Sequence, residues 1–124
     1  MLKKSGLHRN VDELIKVLQS TGFSQSYIIT AKKKAESRDG PVSVKRSTYI
    51  GVSRNEPNWQ ALITINKRKT YIGSYESERD AAIAFDFHSI LLHSLTAKTN
   101  FDYTKENVLD MLWNFKLNGN YFKP

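Results

Sequence analysis

Between Tyr49 and Tyr75 the chain reads YIGVSRNEPNWQALITINKRKTYIGSY: three runs of β-branched and aromatic residues separated by short polar stretches. Connections that short force antiparallel hairpins. The expected strands cover 48–53, 59–65 and 70–74, and in the second Trp59, Ala61, Ile63 and Ile65 alternate onto one face. Three strands cannot bury both faces of their own sheet, so another element must cover one of them. Ser77-Glu-Arg-Asp80 opens that element: Ser77 is an N-cap, and Glu78 and Asp80 place acids where the helix dipole favours them. Ala81, Ala84, Phe85, His88, Leu91, Leu92 and Leu95 then form an apolar stripe, its alanines small enough for close approach to the sheet. Trp59, Ile63, Ile72 and Phe85 are the expected core of this unit.

The flanks read as helical. Asn10 and Glu13 have capping-box spacing, which predicts a helix with Val11, Leu14, Ile15 and Leu18 on one face and a stop at Gly22. Ser24 predicts a second, short helix with Tyr27, Ile28 and Ala31 buried and Lys32, Lys33 and Lys34 exposed. Residues 36–47 contain Gly40-Pro41 and read as a linker. Beyond Phe101, Thr104 caps a last helix carrying Val108, Leu109, Met111, Leu112, Trp113 and Phe115 and ending at Gly119, too apolar to stand in water alone. The expected organisation is a basic helical extension and linker over 1–47, a compact unit over 48–101, and a C-terminal amphipathic helix and tail over 102–124. The fold class is α+β, a three-stranded antiparallel sheet packed on one long helix with a further helix at each end. The two terminal helices are expected to pack together or on a shared partner, with Trp113 central to that contact.

Nineteen Lys and Arg against twelve Asp and Glu give the 124 residues a net charge of +7. The excess lies in the first hundred residues, and the rest is neutral. That bias fits a polyanionic partner. The absence of cysteine excludes a disulfide framework and thiolate metal sites. No apolar run reaches membrane-spanning length and no secretory leader follows Met1, so a soluble intracellular protein without a membrane partner is expected. Asp12 and Glu13 are unlike a mitochondrial presequence. His88 and His93, five apart on one helix, are poor metal partners. With no catalytic constellation and no Gly-rich phosphate loop, the chain reads as a non-enzyme that needs neither cofactor nor metal.

Six pieces in order, Tyr49–Val52, Trp59–Ile63, Tyr71–Tyr75, Glu78–Ala82, Ala84–Asp86 and Asn100-Phe101, resemble the AP2/ERF DNA-binding domain over about residues 48–101. The Lys- and Asn-rich style looks closer to apicomplexan and other protist AP2 domains than to the plant ones. The resemblance implies a sheet lying in the DNA major groove, and a β-ribbon does fit that groove. It also implies that Asp86 and Asn100 are hydrogen-bonders joining helix and sheet. Gly51 and Gly73 are expected to relieve backbone crowding. Carried onto this chain, with alternation along the strands, it gives a nucleic-acid-binding set of Ser53, Arg54, Gln60, Leu62, Thr64, Lys67, Arg68, Lys69 and Tyr71, with Ile50 beside it. Lys32, Lys33, Lys34, Lys45 and Arg46 form a secondary basic patch. Ile50, Ser53 and Thr64 stand where the family carries arginines, and Leu62 stands at a family acidic position. Three functions are open at this point. One is a double-stranded-DNA-binding transcription regulator in the nucleus. The second is a structural RNA-binding component of a ribonucleoprotein assembly, such as a mitochondrial ribosome. The third is a protein-binding module using Ile50, Leu62 and Tyr71. A protein partner could also dock on Leu109, Leu112, Trp113 and Phe115.

Overall fold

The structure is a computed structural model that describes residues 2–20, 27–31, 47–119 and 121–124, with the backbone alone over 2–10. Its elements are α1 (Leu2–Ser20), β1 (Tyr27–Ile29), β2 (Val52–Asn55), β3 (Asn58–Ile65), β4 (Arg68–Tyr75), α2 (Glu78–His93), a 3-10 turn (Ser94–Thr96), β5 (Tyr103–Thr104) and α3 (Lys105–Leu117). β2, β3 and β4 form the expected antiparallel sheet, in that order, and α2 packs across it. The α+β architecture read from the sequence is the one observed.

The first strand is shorter than expected. Residues 48–51 turn instead of extending, because Gly51 adopts φ +75° and hands its carbonyl to the Leu62 N–H at 2.8 Å. A side chain there would be strained, and its Cβ would collide with the Phe85 ring. β3 and β4 meet in a two-residue turn, Asn66-Lys67, with both residues at positive φ, as the twist of a tight hairpin requires.

α2 starts as its sequence dictates: Ser77 Oγ accepts the Asp80 N–H at 3.0 Å. Its buried surface is wider than one stripe. Phe87, Ile90 and Leu91 are fully buried beside Ala81, Ala82 and Ala84, whereas Leu95 lies exposed past the helix end. The reason is cover on a second side: α1 packs on α2 and α3, and Phe87 meets Phe115 at 5.1 Å and stacks on Phe122 at 4.4 Å. The expected mutual packing of the terminal helices is therefore present, and Lys116 closes it with an ion pair to Asp12 at 2.7 Å. Val11, Leu14, Ile15 and Leu18 are buried as expected.

Three expectations in the flanks are corrected or fall outside the described residues. Asn10 is not at a helix start, because α1 begins at Leu2 and runs through it. Tyr27–Ile29 is a strand, not a helix: it pairs antiparallel with Tyr103–Thr104, and the Ala31 N–H donates to Asp102 Oδ1 at 2.7 Å. Gly22, Ser24 and the linker up to Arg46 lie outside the described residues. Thr104 caps α3 with a reciprocal bond pair to Asn107. Of the four residues considered for a protein partner, Leu112 and Phe115 are buried within the chain, Leu109 is partly buried, and Trp113 is 38% exposed. α3 thus docks in cis through Val108, Met111, Leu112 and Phe115, and Trp113 is not the anchor.

Candidate nucleic-acid interface

Antiparallel partners share a face, so register assigns each side chain to one side of the sheet. Val52 sits opposite Ala61, and Ala61 and Ile63 are buried under α2. The other face carries Ser53 opposite Gln60, Gln60 opposite Ser74, Leu62 opposite Tyr71, and Thr64 opposite Lys69. The ladder shifts at Ile72, between the Ala61 and Leu62 pairs. Ile72 and Gly73 together occupy one step, which leaves Ile72 against the core and keeps Tyr71 outward. Tyr71 is exposed, Leu62 half-buried, and Gln60 Nε2 donates to Ser53 Oγ at 3.2 Å. Lys67 stands in the turn at the tip.

Eight of the nine sequence-derived residues therefore gather on this helix-free face or its tip: Ser53, Gln60, Leu62, Thr64, Lys67, Arg68, Lys69 and Tyr71. One does not. Arg54 pairs with Trp59 on the helix side, its guanidinium carbon 4.7 Å from the ring centroid and Nη2 3.5 Å from Glu56. Arg68 pairs with Ile65 and belongs to the set by its exposed place at the tip. Neighbours in a strand point oppositely, so Ser53 and Arg54, or Arg68 and Lys69, could not both face outward. Ile50 lies in the turn before β2, packed on the core and held by Asn100, and is not part of the outer row. The secondary patch, Lys32, Lys33, Lys34, Lys45 and Arg46, lies outside the described residues.

Behind the sheet, Asp86 and Asn100 join the elements as the resemblance implied. Asn100 Oδ1 accepts the Ile50 N–H at 2.6 Å and its amide donates to the Ile50 carbonyl at 3.1 Å, pinning the entry to β2. Asp86, with no exposed surface, accepts from the Asn100 N–H and side-chain amide, from the Phe101 N–H and from the Tyr103 hydroxyl. Burial raises its pKa to about 6, and these donors hold it from rising further. Sequence reasoning missed Tyr103, whose phenol is itself pushed up by burial and by Asp86. His88 is lowered by burial, with Nδ1 3.0 Å from the Ala84 carbonyl, so the neutral imidazole is the favoured form. Among the described residues no group of His, Asp and Glu could hold a metal ion, and no helix is long and apolar enough to cross a membrane.

No family model matches the chain. Among curated proteins it is similar to an AP2-like ethylene-responsive transcription factor of Arabidopsis thaliana, 32% identical over 100 residues, 77% of this chain and 28% of that protein. It is also similar to AP2-like ethylene-responsive transcription factor CRL5 of Oryza sativa subsp. japonica, 32% identical over 88 residues, 68% of this chain and 13% of the relative. Ethylene-responsive transcription factor WRI1 of Arabidopsis thaliana is 36% identical over 70 residues, 53% of this chain and 16% of the relative. The chain thus spans less than a third of the length of these curated relatives. The similarity supports an AP2/ERF-type domain. These relatives are plant proteins, and they lend no support to the protist leaning read from the sequence.

Proposed function

We propose that this chain carries an AP2/ERF-type domain, within residues 48–101, that binds double-stranded DNA with the helix-free face of its sheet and serves a nuclear transcription regulator. The observation that carries this reading is the outer row itself. Ser53, Gln60, Thr64 and Lys69 present donors and acceptors along a face that no element of the described chain covers, ending at the Lys67 tip. The similarity to proteins named as transcription factors supports the same partner.

The chemistry divides along the row. Lys67 and Lys69 are phosphate-neutralising groups, and Arg68, exposed beside them, reaches the same backbone from the flank. Gln60 has the donor–acceptor pair that fits an adenine edge in the major groove, while Leu62 offers an apolar surface to a thymine methyl. Tyr71, exposed opposite Leu62, adds a flat amphipathic surface at the groove wall. Arg54 braces Trp59 at the sheet corner rather than reading bases.

Selection from random duplexes with total RNA as competitor tests the reading. Enrichment of a short duplex motif that RNA does not displace is the expected result. Retention that RNA abolishes, with no enriched motif, would replace it with an RNA-binding role.

A further inference from the structure

β2 starts at Val52, whereas β3 runs on to Ile65. Beyond the bond from the Leu62 N–H to the Gly51 carbonyl, the edge of β3 on that side has no neighbouring strand among the described residues. A cleft of about 740 Å³ opens there, between the sheet and the C-terminal end of α2. Its walls are apolar where Val52, Ile63 and Phe85 line it. Its polar rim draws Lys69 from β4, His93 from the end of α2 and Lys98 from the segment that follows. No Asp or Glu lines it, and neither lysine has an ion-pair partner among the described residues.

The cleft is half open, an apolar floor ringed by polar side chains, a form that admits a small ligand with one end left in water. Two ammonium groups, unopposed by carboxylates, fix the sign of the ligand. We infer that this cleft binds a small amphipathic anion, an apolar chain or ring bearing one carboxylate. The apolar body lies along Val52, Ile63 and Phe85, and the carboxylate meets the Lys69–Lys98 rim. Lys69 also belongs to the outer row, opposite Thr64, so an occupied cleft draws one ammonium away from DNA. This coupling rests on the DNA reading above; the binding itself does not.

The test is an amide chemical-shift titration of the whole chain with octanoate, and with 1-octanol as the uncharged control. Saturable shifts at Gly51, Lys69, Phe85, His93 and Lys98, with Kd below about 1 mM, are expected. Lys98→Gln and Lys69→Gln, both at exposed positions, should each weaken octanoate by about threefold to tenfold, and 1-octanol should bind about tenfold less tightly. Saturating octanoate should also lower affinity for duplex DNA. Shifts that never saturate, or that ignore Lys98→Gln and the loss of charge, overturn the site whatever the chain does with DNA. Saturable binding with unchanged duplex affinity overturns the coupling. Failure of the chain to bind any duplex would count against the DNA reading and leave the octanoate result to decide the cleft.

Discussion

The Tyr103 hydroxyl donates to Asp86 Oδ2 at 2.7 Å, tying the two-stranded β1–β5 ladder to the middle of α2. The same carboxyl holds Asn100, which in turn holds Ile50 and the start of the sheet's first strand. One buried acid thus fixes the N-terminal flank, the long helix and the sheet in a single network. Tyr103→Phe removes a hydrogen bond to a group that is charged at neutral pH. It should cost about 1.5–3 kcal/mol in denaturant melts. A cost near zero would show that the network does not need this member.

Asp86 also sets a pH dependence. Its folded pKa, raised from 3.8 to about 6, means that the folded state holds the proton more tightly than the unfolded one. Its contribution to stability is therefore complete below about pH 4, falls as pH rises through about 6, and is flat above that. Urea melts at pH 4.5 and 7 on wild type and Tyr103→Phe isolate it from the other carboxyls. Loss of the phenol removes a donor that favours the carboxylate. The variant's decline should extend to higher pH than the wild type's.

Gly51→Ala should be among the costliest single substitutions in the sheet, at roughly 3 kcal/mol or more. It combines a residue at φ +75° with a collision between its Cβ and Phe85. A thermal melt within a degree or two of wild type would mean that the chain enters β2 by another path.

The cis docking of α3 distinguishes two neighbours. Leu112 has no exposed surface, and Leu112→Ala should cost about 2–5 kcal/mol. Trp113 is 38% exposed, with the Lys116 ammonium 5.5 Å from its ring centroid, and Trp113→Ala should cost about 1 kcal/mol. Equal costs measured by chemical denaturation would contradict the helix orientation.

What the sequence revealed was mostly local. Ser77 and Thr104 announce their helices because a cap bonds within three residues, and Asn58–Ile65 reads as a strand from its own alternation. β1 was missed although Tyr27-Ile28-Ile29-Thr30 is a run of strand-forming residues: three strand residues are too few to show alternation, and the partner, Tyr103–Thr104, lies near the other end of the chain. Phe87 and Ile90 fell outside the expected stripe because α2 is covered on two sides, which only the docking of α1 and α3 imposes. Phe122 was hidden in the same way: the tail returns to stack Phe122 on Phe87, and Asn114 bonds both backbone groups of Lys123. The outer row was largely legible. The error at Arg54 came from following its charge where strict alternation along the strand points it to the helix side, beside Trp59.

Gln60 is the residue of the row best suited to reading a base. Gln60→Ala should leave the salt dependence of duplex binding intact while flattening preference at one A·T position by about 1–3 kcal/mol. Competition between the enriched duplex and single-base variants measures this. A uniform loss across all variants would instead make Gln60 a positioning group.

The central claim, that the helix-free face holds DNA, is tested most directly by the salt dependence of duplex affinity for wild type, Lys67→Gln and Lys69→Gln. Each lysine should account for about one phosphate contact, so each substitution should lower the slope of log K against log salt by about 0.9 and weaken all duplexes alike. Affinity and slope unchanged in both variants would place the binding surface elsewhere on the chain.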